Sequence, residues 1–416
     1  MQIRNITNKP SIKGLLYCLL FILFAYWPPV VFGYGVSFAL QMMIACLLFI
    51  KTRARINKRV LILVVVLLLL HILAITFGSY YLNLDLGNVI TLVVSLIIVS
   101  VIPFNMFATH YSKFMYFICI FSLCTFFINI LFPSVFSVFP NVHATVNAHN
   151  VFFALIPINT MSYIRNFGMW GEPGMFGVYI ILAAALELFY YKSLNKRHII
   201  VIIFTLITTF STAAYISFAV LFLVFVLSSK SISRRTRIII IALFSILVLL
   251  LINYLFSKSL NHAYVFIKLT ETDSDEGTTF ERIRAIQTAM KLIWEYFPTG
   301  AGWGVYSNYL LNKGTILTAT PLNWFALYGF FYGILMNFGI FLGAKRLAGN
   351  ALQTIGIAAG IVCVILSQEV SSVYIVTIPI LYAYAKSYNK RTKVLQVMVH
   401  LHNLHKIRIK IASKYV

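Results

Sequence analysis

Apolar positions in this chain do not alternate with polar ones. They run on. Uncharged stretches, several of about 18 residues or more, follow one another from residue 14 to residue 386, long enough to cross a bilayer as helices. The pattern predicts twelve spans, at 14–32, 33–50, 60–77, 88–108, 114–132, 174–191, 199–211, 213–229, 238–257, 322–343, 351–367 and 372–386. Barrel strands would alternate instead, which excludes that architecture. Two breaks come from local signals. Trp27-Pro28-Pro29 divides 14–50, and a turn near Ser211-Thr212 makes 199–229 a hairpin whose two basic flanks share one side of the membrane. The expected fold class is an all-α polytopic integral membrane protein with about 12 transmembrane helices.

Composition agrees, with 61% hydrophobic residues, 10% charged residues and a mean hydropathy of +0.90, a balance that excludes a soluble domain. The net charge of +23 changes the picture only through its distribution. Lysine and arginine gather in KTRARINKR (51–59), KSLNKR (192–197), KSISRRTR (230–237), KR (345–346) and the tail from Lys386, each beside an apolar run. That is the signature of cytoplasmic loops, not of a nucleic-acid surface. With twelve spans both termini are cytoplasmic, and of the ten acids only Glu187 is not external or at the outer boundary. The first run, after Arg4, Lys9 and Lys13, reads as an uncleaved first helix. Cys18, Cys46, Cys119, Cys124 and Cys363 all lie in apolar runs and read as packing residues, with neither disulfide nor metal site.

The organisation expected is N-terminal helices over 1–132, a first long periplasmic loop over 133–173, central helices over 174–257, a second long periplasmic loop over 258–321 and C-terminal helices over 322–386. A basic tail, 387–416, follows. In it Val394, Val397, Met398, Leu401 and Leu404 recur at helical spacing and predict an amphipathic helix on the anionic inner leaflet. The long loops are rich in Phe, Tyr, Trp and Ile, contain short helices, and are expected to cover an externally facing cavity.

Candidate chemistry sits in those loops. RNFGMWGEPGMFG (165–177) holds Arg165 and Glu172 at a membrane boundary. Glu172-Pro173 is a good helix start, Arg165 can anchor a lipid phosphate, and Trp170 can join an aromatic belt; ionisable groups at such a depth also point to function. In the second loop Thr278 to Glu281 has capping-box spacing and predicts a helix to about Phe297. Arg284, Lys291 and Glu295 share its solvated face. Arg282 falls on the opposite stripe with Ile286, Ala289, Ile293 and Phe297, where it needs a counter-charge such as Glu172 or a ligand phosphate. The turn Pro298-Thr-Gly-Ala-Gly-Trp-Gly304 is a helix stop or a set of N–H groups for an anion. Trp303 and Tyr306 stack on sugars or anchor at the interface. His143 and His149 are candidate bases or simple surface residues, and Asp273, Asp275 and Glu276 read as a solvated loop. No HExxH or Walker pattern is present, and the one DxD spacing, Asp273-Ser274-Asp275, belongs to that solvated acidic run, so no metal or cofactor is expected.

Taken in order, these pieces resemble the Wzy O-antigen polymerases and the related O-antigen ligases. They are Arg165-x-x-Gly168, Glu172-Pro173 opening a span, Ser211 within Thr-Phe-Ser-Thr, and Arg282 before an amphipathic helix that ends in Pro298-x-Gly300-x-Gly302. The resemblance covers about residues 140–340. It implies a metal-independent glycosyltransferase at the periplasmic face of the bacterial inner membrane. Such an enzyme passes a growing glycan from undecaprenyl diphosphate to a new lipid-linked repeat unit, with a chain-length regulator as partner. On that reading Arg165 and Arg282 handle the diphosphate, and Arg284, Trp303, Tyr306, Asn323, His143 and His149 are substrate-binding positions. Glu172 deprotonates the acceptor hydroxyl, or orients Arg165 or Arg282. The ligase branch commonly has a histidine motif before the span after the second loop. Ala-Thr-Pro-Leu-Asn-Trp (319–324) has none, which argues for polymerase and leaves Asn323 a hydrogen-bonding role. A flippase of lipid-linked sugars would instead carry charged or broken helices throughout its spans, with short loops.

Overall fold

A computed structural model of the chain describes residues 34–143, 147–158, 165–191, 195–229, 232–240, 278–313 and 318–385, together with positions 14, 17 and 242. Among them five helices are long and apolar enough to cross a membrane. They are α1 (Tyr34–Thr52), α2 (Lys58–Phe77), α3 (Leu82–Val101), α4 (Phe104–Leu131) and α5 (Pro173–Ala185), the last prolonged by a π turn to Tyr190. Their outer faces are as apolar as their inner ones: Ile62 is 64% and Leu69 56% exposed on α2. Helices apolar all round belong in lipid. The chain is a membrane-embedded helical protein.

The remaining helices are α6 (Lys196–Thr209), α7 (Thr212–Ser228), α8 (Thr278–Glu295), α9 (Gly302–Lys313), α10 (Thr320–Tyr328), α11 (Phe330–Leu347), α12 (Ala351–Ile365) and α13 (Tyr374–Tyr384). Helix α5 is the most buried of the five long ones, enclosed by α4, α6, α7 and α12. Its first turn seats Phe176 against Trp170, which is 1% exposed, stacked on Phe176 and tilted against Tyr179, so Trp170 is a core residue and not a belt residue.

Several expected boundaries move, each for a local reason. The break between the third and fourth long helices falls at Ile102-Pro103, not at 109–113, because proline has no N–H to continue a helix. The 199–229 hairpin is present, turning at Phe210 in the left-handed region with φ 49°. The span expected at 322–343 is two helices, α10 and α11, parted at Gly329 with φ +92°. The last two spans shorten to 15 and 11 residues. The first long loop is not purely helical. After a 3-10 turn (Pro133–Val138) it forms an antiparallel sheet of β1 (Asn141–His143), β2 (Asn147–Val151) and β3 (Ala154–Pro157), with Asn141 opposite His149 and Val151 opposite Ala154. Val151, Ala154 and Ile156 bury with Phe136 in a small apolar cluster that ties this sheet to the 3-10 turn. The spans at 14–32 and 238–257, the acidic run at 273–276 and the tail at 387–416 lie outside the described residues, apart from the few positions given above.

Hydrogen bonds sort the helix ends into the two sets that alternation requires. At one end Gln368 donates to Glu172 (3.2 Å), Arg165 to Phe210 O (3.1 Å) and Ser79 N to Ala301 O (3.1 Å). At the other, Gln353 donates to Ser228 (2.8 Å), Tyr382 OH to Ile102 O (2.7 Å) and Asn57 N to Ser100 (3.1 Å). Glu187, the acid out of place in the sequence pattern, belongs to the second end. Its carboxylate lies 2.8 Å from His198 Nδ1, and Tyr116 stacks on that imidazole at 4.2 Å.

Helices α7 and α12 approach closely because Gly356 faces Val224 and Gly360 faces Leu221, with no room for a Cβ at Gly356. Gly356→Leu should destabilise the detergent-solubilised protein by about 1–3 kcal/mol, the usual cost of overpacking. Thermal unfolding would register this as a lower midpoint, whereas Leu352→Ala, at a position 47% exposed, should barely move it. An unshifted Gly356→Leu midpoint would refute the close approach.

Candidate functional site

Helix α12 stops at Ile365 and α13 starts at Tyr374, and the connection between them, Ser-Gln-Glu-Val-Ser-Ser (367–372), is mostly buried. Buried backbone that is not helical must find its hydrogen bonds elsewhere. Here they come largely from side chains of other elements. Thr320 Oγ1 donates to Gln368 O (2.6 Å) and accepts from Val370 N (2.7 Å), Trp324 Nε1 donates to Ser371 O (3.1 Å), and Thr91 Oγ1 donates to Ser372 O (3.0 Å). Ala319 N closes the series on Leu366 O at 3.0 Å.

This connection carries the acid at the centre of the site. Glu369 Oε1 accepts from Ser371 N (2.9 Å) and from the Ser371 hydroxyl, and its Oε2 accepts from Asn323 Nδ2. Enclosure by protein pushes the Glu369 carboxyl above its ordinary value, although these hydrogen bonds act against the shift. One residue earlier, Gln368 Nε2 donates to Glu172 Oε1 at 3.2 Å. Gly174, in the first turn of α5, makes that approach possible, since a Cβ there would collide with the Gln368 amide. Glu172 itself occupies the N-cap position of α5, ahead of Pro173 as the sequence predicts. Its side chain makes no capping bond to its own helix and is exposed. Two carboxylates thus face this end of the protein on adjoining supports, one exposed and lightly bonded, the other enclosed and fully bonded.

The other predicted residues fall as follows. Asn323 is fully buried and spends its amide donors inside the protein, on Thr318 O (3.1 Å) and on Glu369. Arg165 donates from Nε to Thr209 O (3.2 Å) and from Nη2 to Phe210 O (3.1 Å), so its guanidinium closes the carbonyl end of α6. Asn166 strengthens the clasp, donating to Thr208 Oγ1 (3.0 Å) and Ser122 (3.3 Å) while its own Oδ1 receives Gly168 N (3.0 Å). His149 Nδ1 lies 3.3 Å from Phe139 O within the first-loop sheet; the side chain of His143 lies outside the described residues.

The second loop corrects three expectations. Helix α8 packs on α10 through Ala285, Ala289 and Leu292, all 0% exposed, while Ile286 (39%) and Phe297 (58%) face out. Arg282 is half-buried at the edge of the packed stripe, not at its centre, and Arg284 is exposed. The phase differs because alanines let two helices approach where larger apolar side chains would hold them apart. Trp303 and Tyr306 are 3% and 2% exposed, and Trp303 Nε1 donates to Tyr328 OH at 2.8 Å; both are core residues without a free face for a sugar ring. The glycine-rich turn spends three of its N–H groups internally, Gly300 on Tyr296 O (2.9 Å), Ala301 on Ala326 O (2.8 Å) and Gly304 on Ser79 O (2.9 Å). Gly302, with φ +70°, lies so close to Ser79 O that no Cβ fits, so this turn is a wedge between helices and not an anion nest.

Sequence reasoning missed Gln368, Glu369 and Asn166. For Gln368 and Glu369 the available signal was the stretch Ser367 to Ser372, polar at five of its six positions and set between apolar runs of which the second is too short to span. Comparison with protein-family models finds no match, and no curated protein matches the chain.

The Glu369 shift makes a signed prediction. An acid whose folded pKa is raised favours the protonated folded state, so its contribution to stability is full below the ordinary value of 4.5 and is lost as pH rises through the raised value. Wild-type protein should therefore lose stability over that window, and Glu369→Gln should flatten the loss. Thermal midpoints of the two proteins across the acid-to-neutral range provide the check; parallel curves would show that Glu369 does not titrate in the window.

Proposed function

We propose that this chain is a metal-independent membrane glycosyltransferase that polymerises a lipid-linked surface polysaccharide, an O-antigen or a related glycan. The observation that carries the reading is the meeting of Glu172 with the Gln368-Glu369 connection at the end of the protein where both long loops gather. The second of those loops contributes a half-buried arginine on a helix packed against α10, the helix that holds Asn323. An exposed carboxylate at a helix N-terminus can accept the proton of an acceptor hydroxyl. That hydroxyl oxygen forms the new glycosidic bond as the anomeric carbon–oxygen bond to the lipid diphosphate breaks. Guanidinium groups of Arg282 and Arg284 stabilise the departing diphosphate without requiring a divalent ion. Gln368 orients Glu172, and Glu369 holds Gln368 and Asn323 in place. Arg165 acts at one remove, by fixing the α6–α7 turn.

The wider reading follows the residue pattern. The distribution of basic loops supports a reading with the Glu172 end on the periplasmic side of a bacterial inner membrane and both termini in the cytoplasm, in a twelve-span arrangement. Undecaprenyl-diphosphate-linked oligosaccharide is the substrate on both the donor and acceptor sides. A chain-length regulator is the expected partner.

The test is the glycan ladder made by cells lacking the gene and complemented with variants. Without the gene, lipopolysaccharide should stop at a single repeat, and wild type should restore the ladder. Glu172→Gln and Arg282→Ala should each abolish polymer while the protein remains at normal level in the membrane. Arg284→Ala should be milder, and Arg165→Ala should act mainly by lowering the amount of folded protein. Loss of even the single repeat in the deletion strain would replace polymerisation with ligation or flipping of the same substrate.

A further inference from the structure

Helix α8 has three faces, and only two are accounted for by the site. One is packed on α10 through Ala285, Ala289 and Leu292. A second is solvated and charged: Arg284 and Lys291 lie on it, Lys291 Nζ sits 3.4 Å from Glu295, and it donates to Tyr309 OH at 2.7 Å. The third consists of Ile283 (48% exposed), Ile286 (39%), Met290 (43%), Trp294 (75%) and, in the turn that follows, Phe297 (58%). These positions are separated by three or four residues, so they form one seam along the whole helix. Single exposed apolar residues are ordinary; a continuous seam of five large ones is not.

We infer that this seam is buried in the headgroup–acyl boundary of the bilayer that the long helices cross, so that α8 lies in the membrane interface. The second loop is then partly an interfacial element and not a cap standing clear of the lipid. Continuity with the lipid-facing surface argues for that occupant over any other. Phe297 packs on Phe330 with ring centroids 5.3 Å apart, and Phe330 N donates to Pro298 O at 2.9 Å, which locks the end of the seam to the start of α11. From Phe330 an exposed apolar stripe continues down α11 through Phe331 (58%), Ile334 (42%), Phe338 (51%) and Phe341 (42%). The seam therefore joins the lipid-facing stripe without a polar gap. Charge placement fixes the depth. Arg284, Lys291 and Glu295 follow one another along the face away from the seam, which a helix lying in the interface keeps in water and a helix crossing the hydrocarbon would not. Tryptophan, here the most exposed of the five, is the side chain best suited to that boundary. Arg282, half-buried near the helix start between the packed face and the seam, is then held at the level of lipid phosphates. This last consequence bears on the proposed substrate, but the position of the seam does not rest on it.

The experiment uses the full chain in nanodiscs and compares wild type with Trp294→Phe, a conservative change at an exposed position. Subtracting the variant's fluorescence from that of wild type isolates Trp294 from the buried Trp170, Trp303 and Trp324 and from Trp27. Lipids brominated near the carbonyl end of their acyl chains should quench the Trp294 component by roughly half or more, as expected for an indole at the interface. Lipids brominated near the chain terminus should quench it less, and aqueous iodide little. Quenching by iodide but not by brominated lipid would place the seam in water and overturn the inference. Quenching by neither would show the seam covered by protein, which overturns it equally. Because the readout is fluorescence and not polymer, the inference can fail while the proposed activity stands, and the reverse.

Discussion

The structure at the site end depends on one requirement: the buried connection between α12 and α13 must have its peptide groups satisfied. An unpaired buried peptide group costs about 1–3 kcal/mol, and a run of them would cost more than a protein's whole margin of stability. The side chains that meet the requirement come from separate places in the chain, Thr91 from α3 and Thr320 and Trp324 from α10. Each bond ties its own helix to the connection. Satisfying the backbone therefore assembles the site as well, since the same segment presents Gln368 to Glu172 and Glu369 to Asn323. Structure and candidate chemistry cannot be separated by deleting either one.

Glycine supplies the second constraint. Gly300 and Gly329, both at positive φ, approach each other too closely for any side chain, and Gly302 lies against Ser79 in the same way. These contacts anchor the second long loop between the α2–α3 turn and the α10–α11 break. The loop is thus tied down at Gly300 to Gly304, just after α8, which itself packs on α10. That position decides which side of Arg282 meets protein and which side meets the seam.

Arg165 shows how a residue can fit a functional pattern and still be occupied structurally. Its guanidinium satisfies the last carbonyls of α6, which a turn through Phe210 in the left-handed region leaves without intrahelical donors. Asn166 beside it binds the same turn. The clasp thus gives the sequence motif around Arg165 a structural role of its own.

The sequence alone determined the membrane class, the hairpin over 199–229, the helix from Thr278 and the start of α5 at Glu172-Pro173. These follow from run length, charge placement and capping signals, all of which are local. It did not determine where helices break at Gly329 and Leu366 inside apolar runs, or that Trp170, Trp303 and Tyr306 are core residues. Nor did it determine the phase of α8 or the pairing of Glu172 with Gln368, 196 residues away. Those features depend on which surfaces approach closely enough to exclude a Cβ or to require a hydrogen bond. Such distances exist only once the helices have packed.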